Sequence, residues 1–122
     1  MSLTKPIPKK LREEMASDKF YSKCCITGLS NNAVKIDYHH NLQYAGERVN
    51  EKFCILPIAD FVHRNIVKYK AKCNWIMLNR ASESDLKRFS KAIDYVKMKD
   101  TLNEIYGTYN DTFKHTSKTP LR

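Results

Sequence analysis

Three of the four histidines in this chain fall within one stretch, KIDYHHNLQYAGERVNEKFCILPIADFVHRNI, residues 35–66. His39 and His40 are adjacent, and His63 lies 23 positions beyond the second. Imidazole can do two jobs. With an ordinary pKa of about 6.5 it takes a proton from water near neutral pH. When neutral, it binds transition-metal ions at about 2 Å. Hydrolysis of a phosphodiester needs both a base for the water and a cation for the charge that builds on the phosphate and the leaving oxygen. Adjacent histidines can divide that work. A single histidine is more often an ordinary surface or core residue; three in this order make a site the stronger reading.

Such a site needs elements that carry the three side chains to one place. AVKIDYHHN alternates: Val34, Ile36, Tyr38 and His40 fall on one face, and Lys35, Asp37, His39 and Asn41 on the other, the period of a strand. QYAGERVNE reads as a loop around Gly46. KFCILPI is short, apolar and β-prone, with Pro57 ending or bordering it. Asp60 suits a helix cap. Val62, Ile66, Tyr69, Cys73 and Ile76 recur at intervals of 4, 3, 4 and 3, which predicts one helix with a narrow core-facing stripe. Arg64, Lys68 and Lys72 fall opposite that stripe, and Trp75 beside Ile76 reads as core. A hairpin running straight into a helix returns His63 to the strand that bears the pair.

The flanks are simpler. KPIPKK reads as an extended basic arm, and KKLREEMASD as a short helix docked through Leu11 and Met15. Ser82 and Asp85 stand at capping-box spacing. They start a second amphipathic helix bearing Leu86, Phe89, Ile93 and Val96, continuing to Leu102 and Ile105 and stopping at Gly107. The expected fold class is α+β: a central β-hairpin followed by a helix at residues 18–80, a basic arm and short helix at 1–17, C-terminal helices at 81–107 and a mobile tail at 108–122.

Charge narrows the partner. The 122 residues hold 22 Lys+Arg against 13 Asp+Glu, a formal net charge of +9. That excess favours a polyanion, usually nucleic acid. A 42% hydrophobic, 29% charged composition is that of a folded domain rather than a disordered chain. No apolar run of about 18 residues is present, which excludes a helical membrane span. The N-terminal residues lack the pattern of a secretory leader, so the expected location is cytoplasmic. Cys24, Cys25, Cys54 and Cys73 are expected to be reduced, and without a C-x-x-C pair they do not suggest a zinc knuckle.

From about Cys24 to Ile66 the chain resembles the HNH, or ββα-metal, endonuclease superfamily. HH at 39–40, ILPI at 55–58 and His63 in ADFVHRN carry the likeness. It is similar to the histidine-pair branch, and within it to small phage nucleases linked to recombination. The resemblance implies a ββα-metal core, His40 as general base, and His39 and His63 as ligands of one divalent ion (Mg, Mn, Ni or Zn). It also implies cleavage of nucleic acid, DNA in preference to RNA, to leave 5′-phosphates, with recombination proteins as further partners and no membrane. A phage origin would put the chain in the host cytoplasm. Two positions depart from the family pattern. Cys54 stands where the family has an Asn, leaving Asn50 or the loop backbone to orient the base. Val67 stands where many relatives have a second helix ligand, leaving Asp37, Asp60 or water to supply an oxygen. Lys9, Lys10, Arg48, Arg64 and Lys68 are the expected nucleic-acid contacts. The competing reading is a non-catalytic nucleic-acid-binding protein that keeps this fold.

Overall fold

The computed structural model describes residues 6–106. In chain order the elements are α1 Lys9–Ala16, β1 Ile36–His40, β2 Gln43–Tyr44, β3 Glu47–Arg48, β4 Ile55–Ala59, α2 Asp60–His63, α3 Lys70–Arg80, α4 Glu83–Arg88 and α5 Ser90–Tyr106. The class is α+β, a small antiparallel sheet followed by several helices. Among the described residues no helix is long and apolar enough to cross a membrane.

β1 pairs antiparallel with β4, setting Asp37 opposite Ile58, Tyr38 opposite Pro57, His39 opposite Leu56 and His40 opposite Ile55. Pro57 therefore sits in the middle of a strand, not at its border as the sequence suggests. Its carbonyl accepts from the Cys25 N–H at 2.9 Å, so its polar edge points away from β1. The ladder loses no donor to the proline ring, which is why the residue is tolerated there. Every residue of β4 is buried. Leu56 and Ile58 pack with Val62 of α2 and Cys73 of α3, while Ile55 packs with Met15 of α1 and Tyr21. The strand is thus sandwiched, and β1 beside it is half-buried along its length, with Ile36 joining the first cluster and Tyr38 the second.

The 42–51 segment is more ordered than a loop. β2 and β3 pair through a tight reversal at Ala45 and Gly46, whose φ values of 55° and 80° are both positive. A type I′ hairpin turn requires that backbone at both central positions; Gly46 adopts it freely, while Ala45 is strained there. Lys52–Cys54 forms a 3-10 turn rather than the start of β4.

The single helix expected from Asp60 onward is broken into three pieces. α2 ends at His63, Ile66–Tyr69 is a 3-10 turn, and α3 starts at Lys70. The breaks fall at Asn65 (φ −119°, ψ 33°) and Tyr69 (φ −116°, ψ 12°), both outside helical geometry. The Asn65 amide donates to the Phe61 carbonyl at 3.0 Å and competes with helix continuation. The apolar stripe survives the breaks, since Val62, Ile66, Tyr69, Cys73 and Ile76 all join one cluster. Asp60 is the first helical residue of α2, not a side-chain cap. Trp75 is 42% exposed, because α3 turns Ala71, Cys73, Asn74 and Met77 inward instead.

The capping box forms as expected: Ser82 Oγ accepts from the Asp85 N–H at 3.1 Å, and Asp85 Oδ2 accepts from the Ser82 N–H at 3.0 Å. The helix it starts ends at Arg88, and Phe89 (φ −115°, ψ 28°) separates it from α5. Leu86, Phe89, Ile93 and Val96 close over Leu42, Phe53 and Met77. Leu102 lies outside that core and is exposed. The Ile105 side chain, Gly107 and the tail at 108–122 lie outside the described residues.

Candidate active site

Strand alternation decides which side chains meet. Asp37 and His39 share one face of β1, and His63, the last residue of α2, meets both. His63 Nδ1 lies 3.0 Å from Asp37 Oδ2, and the His63 and His39 ring centroids are 5.1 Å apart at 68°. A carboxylate accepts, so Nδ1 of His63 donates and its Nε2 is left without that partner.

His39 is fixed by a longer chain of bonds. Its Nε2 lies 3.1 Å from Asn41 Oδ1. Asn41 Nδ2 donates to Asn74 Oδ1 at 2.9 Å, and Asn74 Nδ2 donates to Asp100 Oδ1 at 2.9 Å. The Asp100 carboxylate accepts, so both amides must present oxygen toward β1. His39 then donates from Nε2 and its lone pair sits on Nδ1. Burial pushes the His39 pKa down to about 4; nearby His63, Lys70 and His40 lower it further, against the opposing bond to Asn41. The ring is neutral at pH 7, as a metal ligand must be.

His40 occupies the other face of β1. Its Nε2 lies 2.7 Å from Asn50 Oδ1, while Asn50 Nδ2 donates to the Pro6 carbonyl at 3.2 Å. The Pro6 carbonyl fixes which end of the amide faces the ring. His40 therefore donates from Nε2 and keeps a basic lone pair on Nδ1. Burial lowers its pKa, and Arg48 adds to the effect. Asn50 thus orients the His40 ring. Cys54 is a buried thiol, pushed up to about 12 by that burial, and its Sγ lies 3.4 Å from the carbonyls of Val49 and Glu51. It ties down the turn that carries Asn50.

The three histidines do not share one face. His39 and His63 meet ring to ring, and His40 stands where the end of β1 opens into a cleft. Lys70 links the two regions, acting on His39 and lining the cleft with His40. Of the two carboxylates expected as extra ligands, Asp37 is bonded to His63 and Asp60 lies 3.7 Å from Arg64. Lys9, Lys10, Arg48, Arg64 and Lys68 are all exposed.

Among the described residues no group of three or more His, Cys, Asp or Glu side chains is arranged to hold a metal ion. The chain offers the His39 and His63 imidazoles, each with one N–H fixed by an acceptor, as is usual for ligating histidines. That donor set fits an open two-nitrogen site for a borderline cation whose shell is completed by water or phosphate; it does not fit a closed structural site.

Asn41, Asn74 and Asp100 were not singled out by sequence reasoning. A signal existed in Asn74, a polar residue between Cys73 and Met77 on a core-facing stretch of helix. Asn41 and Asn74 are only 6% and 4% exposed. Asn74→Ala removes the link between Asn41 and Asp100 and leaves a buried amide short of its partner. It should cost about 1–3 kcal/mol in urea unfolding. Asn79→Ala, an exposed control on the same helix, should stay within about 0.5 kcal/mol. Equal losses in the two variants would deny the relay a stabilising role.

Comparison with protein-family models, curated proteins and solved structures gives no match to this chain.

Proposed function

We propose that this chain is a metal-dependent HNH-type endonuclease that hydrolyses nucleic-acid phosphodiester bonds, DNA in preference to RNA. One observation carries the reading. His39 and His63 come from separate elements, lie ring to ring, and have their other nitrogens engaged by Asn41 and Asp37. In this reading Nδ1 of His39 and Nε2 of His63, the nitrogens not engaged by Asn41 and Asp37, are the ones that would hold one divalent ion. When bound, the ion supplies charge stabilisation at the phosphate and the departing oxygen. His40 Nδ1 takes the proton from the attacking water, and Asn50 holds the ring in the tautomer that permits it. Exposed Lys and Arg side chains neutralise neighbouring phosphates.

The missing third donor favours a second reading, a nucleic-acid-binding protein with this fold and no catalysis. An assay on supercoiled and branched DNA, and on RNA, with magnesium, manganese, nickel and zinc separates the two. Cleavage that chelator abolishes supports the enzyme. Binding that survives chelator, with no cleavage under any ion, supports the second reading.

A further inference from the structure

The end of β1 opens into a cleft of about 470 Å³ between that strand, α3 and α5. Its walls include His40, Lys70, Asn74, Tyr95, Lys99 and Asn103, and none of the described residues lining it is a carboxylate. Two ammonium groups in a cleft lined by no acid select an anion. The Gln43 side chain adds an amide to the wall, while those of Asn41 and Asn74 are engaged in the relay to Asp100. The Lys99 ammonium stands over the Tyr95 ring, 5.6 Å from its centroid, and the tyrosine remains 57% exposed. The cleft therefore pairs a cationic wall with an open aromatic surface. Its volume lies in the range of small-ligand sites, roughly 300–1,000 Å³. A base reaches such a pocket only when it is out of a duplex stack.

We propose that this cleft seats one unpaired nucleotide of a nucleic-acid strand beside His40. Lys70 and Lys99 hold its phosphate and Tyr95 stacks on its base. The proposal rests on the endonuclease reading for the role of that strand as substrate, and it makes single-stranded or locally opened nucleic acid the preferred class. Stacking on one aromatic side chain tolerates any base, so the preference is for an unpaired state and not for a sequence.

The test uses the full chain in chelator, so that neither the cation nor the chemistry at His40 contributes. Calorimetry compares thymidine 5′-monophosphate, thymidine, inorganic phosphate, a short thymidine oligonucleotide and the same oligonucleotide in duplex. The monophosphate should bind about tenfold more tightly than phosphate or thymidine, and the single strand more tightly than both the monophosphate and the duplex. Tyr95→Ala and Lys99→Glu should each weaken the single strand by about tenfold. Both positions are exposed, and circular dichroism verifies that the variants fold. A duplex bound as tightly as the strand, or variants with unchanged affinity, would overturn the proposal. A monophosphate bound as tightly as the strand would reassign the cleft to a free nucleotide and overturn it equally. Absence of chelator-sensitive cleavage with these preferences intact removes the endonuclease reading alone. Cleavage without mononucleotide binding removes the cleft proposal alone.

Discussion

His40→Ala should lose cleavage by roughly 10²- to 10⁴-fold, the range a general base contributes, while the fold persists. The imidazole is half-buried, and its side-chain bond goes to Asn50, which keeps its own bond to Pro6 in the variant. The His39–His63 pair lies on the opposite face of β1, so its capacity for metal should be unchanged. Supercoiled-plasmid nicking under saturating manganese measures the first effect, and thermal unfolding with metal titration the others. Turnover near that of the parent chain would remove His40 from the mechanism.

A second large effect concerns acid. In the metal-free protein, the His39 pKa falls from 6.5 in the unfolded chain to about 4 in the folded one, with burial the main cause. Between those values the unfolded chain binds a proton that the folded chain does not. Stability is therefore at full strength above pH 6.5, falls as pH drops through that window, and levels off below about 4. The ring keeps some solvent contact, so the loss should be about 2–3 kcal/mol. His40 shifts in the same direction and adds to it. Asp18, whose carboxylate is held below its ordinary 3.8 by the Phe20 backbone N–H and Lys52, loses its contribution only at lower pH. Urea unfolding in chelator at about pH 7.5 and about pH 4.5, on the parent chain and His39→Gln, isolates the contribution. The difference between the two pH values should shrink by about 2 kcal/mol in the variant. An unchanged difference would show that the fold does not hold the ring neutral.

What the sequence makes legible here is periodicity, and what it conceals is interruption. Alternation in AVKIDYHHN puts Asp37 with His39 and His40 with Tyr38, and β1 has those faces. The stripe from Val62 to Ile76 identifies the right inward residues, because burial depends on angular position about the axis. It says nothing of the breaks at Asn65 and Tyr69, where local side-chain bonding and turn geometry win over helix continuation. Pro57 misleads because its cost depends on which edge of the strand it faces, a fact of pairing and not of composition. Trp75 misleads because size and hydrophobicity do not fix orientation; the polar Asn74 takes the inward position instead, and only the hydrogen bonds to Asn41 and Asp100 explain why. At the site, the histidine triplet is visible in the sequence. The partners that set each tautomer lie at separations of 2, 10 and 26 residues, and Asn50 alone among them was in view as an orienting residue.

The central claim is that His39 and His63 together hold one divalent ion. Calorimetric titration of nickel, zinc, manganese and magnesium into the parent chain and a His39→Ala, His63→Ala double variant tests it most directly. Imidazole nitrogen favours the transition ions over magnesium, which prefers oxygen. The parent chain should bind one nickel, zinc or manganese ion and only weakly bind magnesium in the absence of nucleic acid, and the double variant should lose transition-ion binding. Equal transition-ion affinity in the two proteins would contradict the account.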